Sequence, residues 1–237
     1  MRVEIWSDVV CPWCYVGKRR FEAALAAFPH RDQVEVVWRS FELDAGAPTE
    51  RVGDYAQLLA DKYGFPVEQG RQMIDTMTQT AAEEGLDFRF DLARVGNTFD
   101  AHRLLHLAHD RGVQDAVKER LMHATFTEGE PIGDRETLVR LVAEAARAVL
   151  ACDRYAAEVR ADEAQARAYG ISGVPFFVVD GAYGLNGAQP VEALTQVLAT
   201  AWAAGQPLVM AAAGGSGCDA DGCSVTLYPT NATAVFV

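Results

Sequence analysis

The chain has 237 residues, half of them hydrophobic, so it can bury the core of one large domain or two small ones. Its 33 acidic residues outnumber 21 basic ones for a formal net charge of −12, and no stretch is rich in lysine and arginine, which argues against nucleic acid as a partner. No stretch approaches the roughly 20 apolar residues of a membrane span and the start lacks the features of a secretory signal, so we expect a cytoplasmic protein without a membrane partner.

The start of the chain alternates apolar and polar residues over 2–7, which predicts a short strand running towards Cys11. Pro12 suits the first turn of a helix, and apolar residues recur at helical spacing up to Pro29, so a helix is predicted between these two prolines. Residues 34–43 then predict a second strand. The order strand, helix, strand predicts a parallel pair joined by a right-handed crossover.

A helical pattern occupies residues 49–170, where glycine and proline clusters divide it into four to six predicted helices. Beyond it, residues 174–180 predict a buried strand, 182–187 its hairpin partner and 189–204 a final helix. The predicted fold class is therefore α/β, interrupted by a large all-helical insertion. The predicted segments are 1–48 for the first part of the α/β domain, 49–170 for the insertion, 171–204 for the second part, and 205–237 for a C-terminal tail.

Cys11 and Cys14 are separated by two residues where the first predicted strand meets the first helix. The unpaired N–H groups and the dipole of a helix N-terminus stabilise an anion, so we expect Cys11 to be the attacking thiol, with a pKa below the roughly 8.5 of free cysteine. Cys14 would then be the resolving thiol. The same spacing occurs in zinc sites, but the other ligands would have to come from far along the chain, and the strand-to-helix context favours a redox pair over a metal site.

The other three cysteines are Cys152, Cys218 and Cys223. The last two are separated by four residues in a loop that contains glycine, so their sulfurs can close a small ring. They are either an auxiliary redox pair that exchanges electrons with the first pair, or a local staple or incidental thiols. Cys152 lies in a predicted helix and is expected to be a buried, inert thiol.

Several polar or aromatic residues are further candidates for the site. Asp8, three residues before the first cysteine, is predicted to cap the helix or to accept a proton from a sulfur. Trp13, between the two cysteines, is either an exposed apolar contact for substrate or an ordinary packing residue. His102, His106 and His109 lie on one helix face at a spacing that suits a metal, yet the leucines among them favour an ordinary, partly buried helix.

Three motifs together resemble those of a known family: CPWCYVGKRRFE from Cys11, NTFDAHRLLHLA at 97–108 and GISGVPFFVVDG at 170–181. They closely resemble the DsbA-like family of the thioredoxin superfamily, most of all its cytoplasmic FrnE-type branch. The resemblance extends over residues 1–204. It implies a thioredoxin fold with a helical insertion and a dithiol–disulfide activity on protein or small thiols.

The resemblance also implies where substrate binds. It implies a cis peptide bond between Val174 and Pro175 that faces the cysteines, although from the residues alone a trans proline is the commoner arrangement at the start of a strand. The Val174 backbone would then pair with an extended peptide, and Pro12 and Trp13 would belong to the same substrate-binding surface.

The resemblance has two further implications. The motif in the helical block suggests that Asn97 and His102 line the cleft and, with Asp8, form a proton relay. A tail pair equivalent to Cys218 and Cys223 occurs in some FrnE-type proteins, which agrees with an auxiliary redox role.

We therefore expect a protein disulfide oxidoreductase or isomerase that needs no cofactor beyond its own redox disulfide and can take glutathione as a co-substrate. Its partners would be protein or peptide thiols and disulfides, with a small thiol or a thioredoxin-type protein as reductant. One alternative is a kappa-type glutathione transferase or a 2-hydroxychromene-2-carboxylate isomerase, in which a serine usually occupies the position of Cys11. The other is a chaperone-like binder of unfolded chains without enzymatic activity.

Overall fold

The computed structural model describes residues 1–51 and 53–205. The strands are β1 (Arg2–Ser7), β2 (Glu35–Ser40), β3 (Phe176–Val179) and β4 (Tyr183–Asn186). The helices are α1 (Pro12–Ala27), α2 (Tyr55–Tyr63), α3 (Val67–Glu83), α4 (Phe99–Asp110), α5 (Gln114–His123), α6 (Arg135–Val142), α7 (Ala145–Leu150), α8 (Ala156–Ala168) and α9 (Val191–Gly205). Among these helices, none is both long and apolar enough to cross a bilayer.

The strands form one sheet in the order β2-β1-β3-β4. β1 is parallel to β2 and antiparallel to β3, so that Trp6 has Arg39 on one side and Phe176 on the other. β3 is antiparallel to β4, which confirms the predicted hairpin. The predicted fold class, an α/β thioredoxin fold with a helical insertion, is confirmed, and the cysteine pair follows the carboxyl end of an inner strand.

Both faces of the sheet are covered by helices. The alternation of β1 directs Ile5 to one face and Trp6 to the other. On the first face Ile5 belongs to a core with Phe21 of α1 and Leu198 of α9. On the second face Trp6 packs with Ala166 of α8. The sheet is therefore a fixed support for the residues that follow β1.

The helical insertion closes the outer edge of β2. The side chain of Gln114 in α5 accepts a hydrogen bond from the Trp38 N–H at 3.0 Å and donates one to the Trp38 carbonyl at 2.9 Å. Two residues further along β2, the Ser40 N–H donates to the carboxylate of Asp162 in α8 at 2.8 Å. Because an open strand edge invites pairing with another chain, these side chains take the place of a neighbouring strand.

The insertion has more helices than predicted. Its described residues form seven α-helices, α2 to α8, and a π-helical turn (Ala124–Glu128), against four to six helices expected. Two of the breaks occur at Ala143, with φ 105°, and Tyr155, with φ 64°. A prediction that takes its breaks from glycine and proline misses both, because other residues rarely adopt a positive φ.

Candidate active site

The two cysteines lie at the junction of β1 and α1. Cys11 is the N-cap residue of α1, with φ −96° and ψ 112°, and Pro12 is the first residue of the helix. Cys14 lies in the first turn, where its N–H donates to the Cys11 carbonyl at 3.0 Å. Both cysteines are free and buried, and the exposed fraction is 4% for Cys11 and 0% for Cys14. A substrate therefore reaches the sulfur of Cys11 before that of Cys14.

The loop that precedes β3 faces Cys11. The Cys11 thiol donates to the Val174 carbonyl, with 3.5 Å between Sγ and the oxygen, and the Val174–Pro175 peptide bond is cis, as the resemblance implies. The Pro175 ring packs on α1 at Gly17, where a Cβ atom would lie 2.8 Å from Cγ of the proline. Gly17, which the sequence analysis did not single out, therefore lets the helix and the loop approach each other.

The two neighbouring thiols affect each other's pKa, so that one of them ionises readily and the other does not. Burial raises the pKa of Cys14, but its hydrogen bond with Cys11 and the positive charge of Lys118 lower it below the ordinary value. The pKa of Cys11 is raised well above the ordinary value by its hydrogen bond with Cys14, by burial and by the charge on Cys14. In the reduced pair the anion thus favours Cys14, contrary to the order expected from the helix N-terminus, because the nearby cation acts on the inner sulfur.

That cation comes from the helical insertion. Lys118 of α5 is completely buried, and its Nζ donates to the Ser7 carbonyl at 3.1 Å, next to the end of β1. Burial lowers the pKa of Lys118 to about 8, although the charges of the thiols and of a carboxylate act to raise it. No sequence motif marks this residue, and a lysine in a helix usually lies in water. The sequence does contain one indication of burial. Lys118 lies at helical spacing from Gln114 and Leu121, on the buried face of α5.

The side chain of Asp8 makes its contacts in the protein interior and does not cap α1. One carboxylate oxygen accepts from the Leu43 N–H at 2.8 Å, and the other lies 3.3 Å from Nε2 of His102. Burial raises the pKa of Asp8, but these two contacts and the charge of Lys118 lower it below the ordinary value, so the carboxylate is charged. The predicted cap is wrong because the backbone of Cys11 holds the N-cap position itself. The contact does join Asp8 to His102, one of the two other relay candidates.

Asn97 lies behind the wall of the cleft rather than on it, which corrects the prediction. Its Oδ1 accepts from the Phe99 N–H at 3.0 Å, and its Nδ2 donates to the Ala45 carbonyl at 3.3 Å. The side chain thus ties the start of α4 to the loop between β2 and α2. Its neighbours Gly96 and Thr98 face the cleft in its place.

The three histidines predicted to share a face of α4 have separate surroundings. His102 is completely buried and does not reach the cleft surface, which corrects its predicted place there. Nε2 of His106 lies 3.1 Å from the Ser40 hydroxyl and 3.2 Å from the Asp162 carboxylate, while His109 is exposed. In the described part of the chain, no three histidine, cysteine or acidic side chains are arranged to hold a metal ion.

A cavity of about 740 Å³ opens beside Cys11. Its walls are the start of α1, the loop between β2 and α2, helices α2 and α3, the residues around Gly96, and the loop before β3. Trp13 is 38% exposed at this cavity. In one wall the backbone at Gly96 packs directly against the backbone at Thr49. A Cβ atom on Gly96 would lie only 1.9 Å from the Thr49 carbonyl oxygen, so only glycine fits there. The volume suits a small ligand or a short peptide.

Among the described residues, the one further cysteine, Cys152, does not line this cavity. Cys152 is exposed and not buried as predicted, because α7 ends at Leu150 and Cys152 lies in the turn that follows. Its Sγ donates to the Ala148 carbonyl at 3.3 Å. Cys218 and Cys223 lie outside the described residues, so their auxiliary redox role stays a prediction.

Known proteins resemble the chain over most of its length. The sequence model for the DSBA-like thioredoxin domain matches residues 2–199. A crystal structure of a probable DsbA oxidoreductase from Streptomyces coelicolor is 50% identical, with a TM-score of 0.83 over 94% of this chain and 100% of that chain. The uncharacterized protein YwbO of Bacillus subtilis is 32% identical over 146 residues, which are 61% of this chain and 66% of that protein, just under two thirds of its length.

The cytosolic disulfide reductase DsbM from Pseudomonas aeruginosa is similar at the level of the fold. It is 20% identical, with a TM-score of 0.60 over 86% of this chain and 100% of that chain, and it has also been solved with glutathione. The match over residues 2–199 and the 50% identical structure agree with the geometry of the cysteine pair. The chain therefore belongs to the family of DSBA-like thioredoxin domains.

Proposed function

We propose that this protein is a thiol–disulfide oxidoreductase in which Cys11 attacks the substrate and Cys14 resolves the mixed disulfide. The difference in access between the two sulfurs carries this proposal. Cys11 lies on a cavity of about 740 Å³, whereas Cys14 is completely buried one turn further along α1. A bulky disulfide can approach the first sulfur, and the second sulfur is reserved for attack within the protein.

The exchange would take two steps, each of which replaces one S–S bond by another. The Cys11 thiolate attacks a sulfur of the substrate disulfide, forms a mixed disulfide, and expels the other substrate sulfur as a thiolate that takes up a proton. Cys14 then attacks the Cys11 sulfur, expels the second substrate thiolate and leaves a Cys11–Cys14 disulfide. The substrate gains two electrons, and a small thiol or a thioredoxin-type reductant returns them to the pair.

The charges around the pair support both steps. The hydrogen bond between the sulfurs lets the Cys11 proton pass to Cys14 as Cys11 attacks, so a raised pKa of Cys11 does not prevent its role as nucleophile. Once Cys11 is in the mixed disulfide, the cation of Lys118 favours the Cys14 thiolate for the second attack. Asp8, charged and paired with His102, balances this cation, and its low pKa makes it a partner of the charges rather than a base for the Cys14 proton.

The proposed substrate contacts surround Cys11. Pro12 and Trp13 line the cavity, and the Val174 backbone faces the sulfur from the opposite side. An extended substrate that entered here would compete with the Cys11 thiol for the Val174 carbonyl. Pro175 is buried behind this loop and holds it against α1.

The proposed partners are protein or peptide disulfides, with glutathione as a co-substrate and no added cofactor. The structure of DsbM with glutathione supports this choice by analogy of fold, and the description of DsbM as cytosolic supports a cytoplasmic place of action. A glutathione transferase or isomerase of the same superfamily is the second candidate. The presence of two cysteines where that class usually has a serine favours the oxidoreductase.

Single cysteine variants test the proposal. We expect Cys11→Ser to lower the reduction of insulin disulfides to the uncatalysed rate, because the accessible nucleophile is lost. We expect Cys14→Ser to keep the first attack and to accumulate a covalent adduct with the substrate, visible by mass spectrometry under non-reducing conditions. Cys152→Ser removes an exposed thiol outside the cavity and is the matched control, with unchanged turnover.

Other results would support the alternatives. Full turnover by Cys11→Ser would contradict the assignment of the nucleophile. If the unaltered protein turned over no disulfide yet suppressed insulin aggregation, it would be a binder of unfolded chains. Glutathione conjugation or isomerisation that survives in Cys14→Ser would place the protein in the transferase class.

A further inference from the structure

One carboxylate of α5 holds three side chains of the helix that carries the cysteines. Glu119 accepts a hydrogen bond from the Tyr15 hydroxyl at 2.5 Å, and it lies 3.0 Å from the Lys18 ammonium. Its two oxygens also accept from the Arg19 guanidinium, one of them at 2.9 Å. The three partners share one face of α1 at helical spacing, directly after Cys14. We call this set of contacts the Glu119 clamp.

The clamp is stronger than an exposed ion pair. Glu119 is half-buried, and Tyr15 and Lys18 are buried. Burial raises the pKa of Glu119, but the hydrogen bonds from Arg19 and Tyr15 and the charge of Lys18 lower it to about 2, so the carboxylate is charged at neutral pH. A guanidinium that binds both oxygens of a carboxylate also fixes the geometry of the pair. The clamp therefore sets the distance between α5 and α1.

The neighbours of the clamp in the sequence are the two groups that matter for the thiol chemistry. Lys118 precedes Glu119 on α5, and Cys14 precedes Tyr15 on α1. Lys118 is completely buried and donates to the carbonyl at the end of β1 at 3.1 Å. Against the effect of burial, and together with the Cys11 thiol, its charge lowers the pKa of Cys14. The groups whose charges act on Lys118 are Cys11, Cys14, Asp8 and Lys18.

We propose that Glu119 is a positioning residue for the thiol pair, because it holds α5 where the ammonium of Lys118 acts on Cys14. This inference rests on the proposed oxidoreductase function, since it concerns the thiol that resolves the mixed disulfide. In a buried site, moving a cation by about 1 Å from an anion about 5 Å away changes a pKa by about half a unit. A small displacement of α5 would therefore alter the ionisation of Cys14 without any change at the cysteines.

Glu119→Gln tests the proposal through the sign of its effect. Removal of a negative charge by itself stabilises a nearby thiolate and lowers the thiol pKa. Release of the clamp should instead weaken the action of Lys118, so we expect the pKa at which the pair first ionises to rise by about half a unit. Thiolate absorbance during a pH titration of the reduced, full-length protein measures this shift.

Glu22→Gln is the matched control. Glu22 pairs with Lys18 and Arg19, the same two cations, but it belongs to α1 itself. Its replacement removes the same charge without releasing α5, so the thiol pKa should stay unchanged or fall. Tyr15→Phe is a second variant that alters no charge at neutral pH. It removes one contact of the clamp and should raise the thiol pKa by less than Glu119→Gln does.

A double variant decides whether Glu119 acts through the buried cation. In a Lys118→Met background, Glu119→Gln should cause no further rise of the thiol pKa, because the cation that the clamp positions is gone. The inference would be overturned by an unchanged or lowered pKa in Glu119→Gln, by an equal rise in Glu22→Gln, or by a rise that persists in the double variant.

The proposed function has a separate readout. The titration needs no substrate, so its outcome does not depend on turnover. Failure of the unaltered protein to reduce insulin disulfides would contradict the oxidoreductase function, whereas normal reduction with an unshifted titration in Glu119→Gln would contradict only the role of Glu119.

Discussion

Two buried lysines approach the ring of Trp38, and their surroundings give them opposite properties. Nζ lies 5.9 Å from the ring centroid for Lys18 and 5.5 Å for Lys118. Burial lowers the pKa of both, but Lys18 contacts three carboxylates, and the net shift of its pKa is upward. The ammonium of Lys118 instead contacts a backbone carbonyl and lies near the thiol pair. Burial therefore dominates, and the pKa of Lys118 falls to about 8. The charge of Lys118 is therefore sensitive to the state of the cysteines.

Replacement of Lys118 should change the ionisation of the thiols. In Lys118→Met the cation that lowers the pKa of Cys14 is absent, so the first pKa of the pair should rise. Because the thiolate is the reacting form, reaction with substrate at neutral pH should slow, tenfold for each unit by which that pKa rises. Thiolate absorbance during a pH titration measures this shift.

A conservative variant separates charge from packing. Lys118→Arg keeps the cation and should leave the titration closer to that of the unaltered protein. An unshifted titration in Lys118→Met would mean that this lysine stabilises only the fold.

The sequence predicts the part of the site that local spacing determines. Cys11 and Cys14 are recognisable because two intervening residues place both sulfurs in one helical turn. Lys118 is not recognisable in the same way, because its contact with Ser7 depends on how α5 docks against β1. Asn97 was misplaced for a related reason, since a motif gives the residue but not the direction of its side chain.

At the scale of elements, the edge of β2 shows how the insertion and the sheet depend on each other. Gln114 supplies both hydrogen bonds that the backbone of Trp38 would otherwise make with a strand. α5 also carries Lys118, so the same helix closes the sheet and brings a cation to the thiols. A shift of α5 would therefore affect stability and thiol chemistry together.

Gln114→Met tests the contribution of this edge contact. The variant keeps a similar side-chain volume but leaves the N–H and C=O of Trp38 without partners in a buried place, which costs about 2 kcal/mol or more of unfolding free energy. Urea unfolding measures the loss. Gln196→Met on the exposed face of α9 is the control and should change the unfolding free energy little. A similar stability for both variants would show that water replaces the Gln114 amide.

The elements themselves were largely predictable, with errors of a specific kind. β1 and the β3–β4 hairpin follow from alternation and from turn residues, and the structure confirms them. The helices beyond residue 134 were undercounted because Ala143 and Tyr155 take a positive φ without being glycine. Tertiary contacts can impose such a conformation, as in Tyr155, whose hydroxyl donates to Asp110 at 2.6 Å.

At the scale of the molecule, Asp162 joins the sheet to the insertion. Its carboxylate accepts from the guanidinium of Arg39 at 2.9 Å and from the Ser40 N–H at 2.8 Å, both on β2, and it lies 3.2 Å from Nε2 of His106 on α4. Asp162 itself belongs to α8. Burial raises its pKa, but these three partners lower it below the ordinary value, so the carboxylate is charged when the protein is folded.

The pH dependence of stability should reflect this contact. Because the pKa of Asp162 is lower in the folded than in the unfolded chain, its contribution is present above the unfolded value of about 3.9 and is lost as the pH falls through the folded value. Asp162→Asn should therefore be less stable at pH 7, by about 3 kcal/mol, and should lose less stability than the unaltered protein below pH 4. Urea unfolding at several pH values measures both effects. Parallel curves for the two proteins would contradict the assignment.

The position of β1 in the sheet has a consequence for synthesis of the chain. β1 pairs with β2 early in the sequence, but its other neighbour is β3, whose Phe176 lies opposite Trp6. A ribosome releases the cysteine pair and then the whole insertion before it releases that strand. During this interval Cys11 is without the Val174 loop, and both thiols are open to premature oxidation. The nascent chain therefore benefits from a reducing environment until its last strands emerge, whatever the redox state in which the finished protein works.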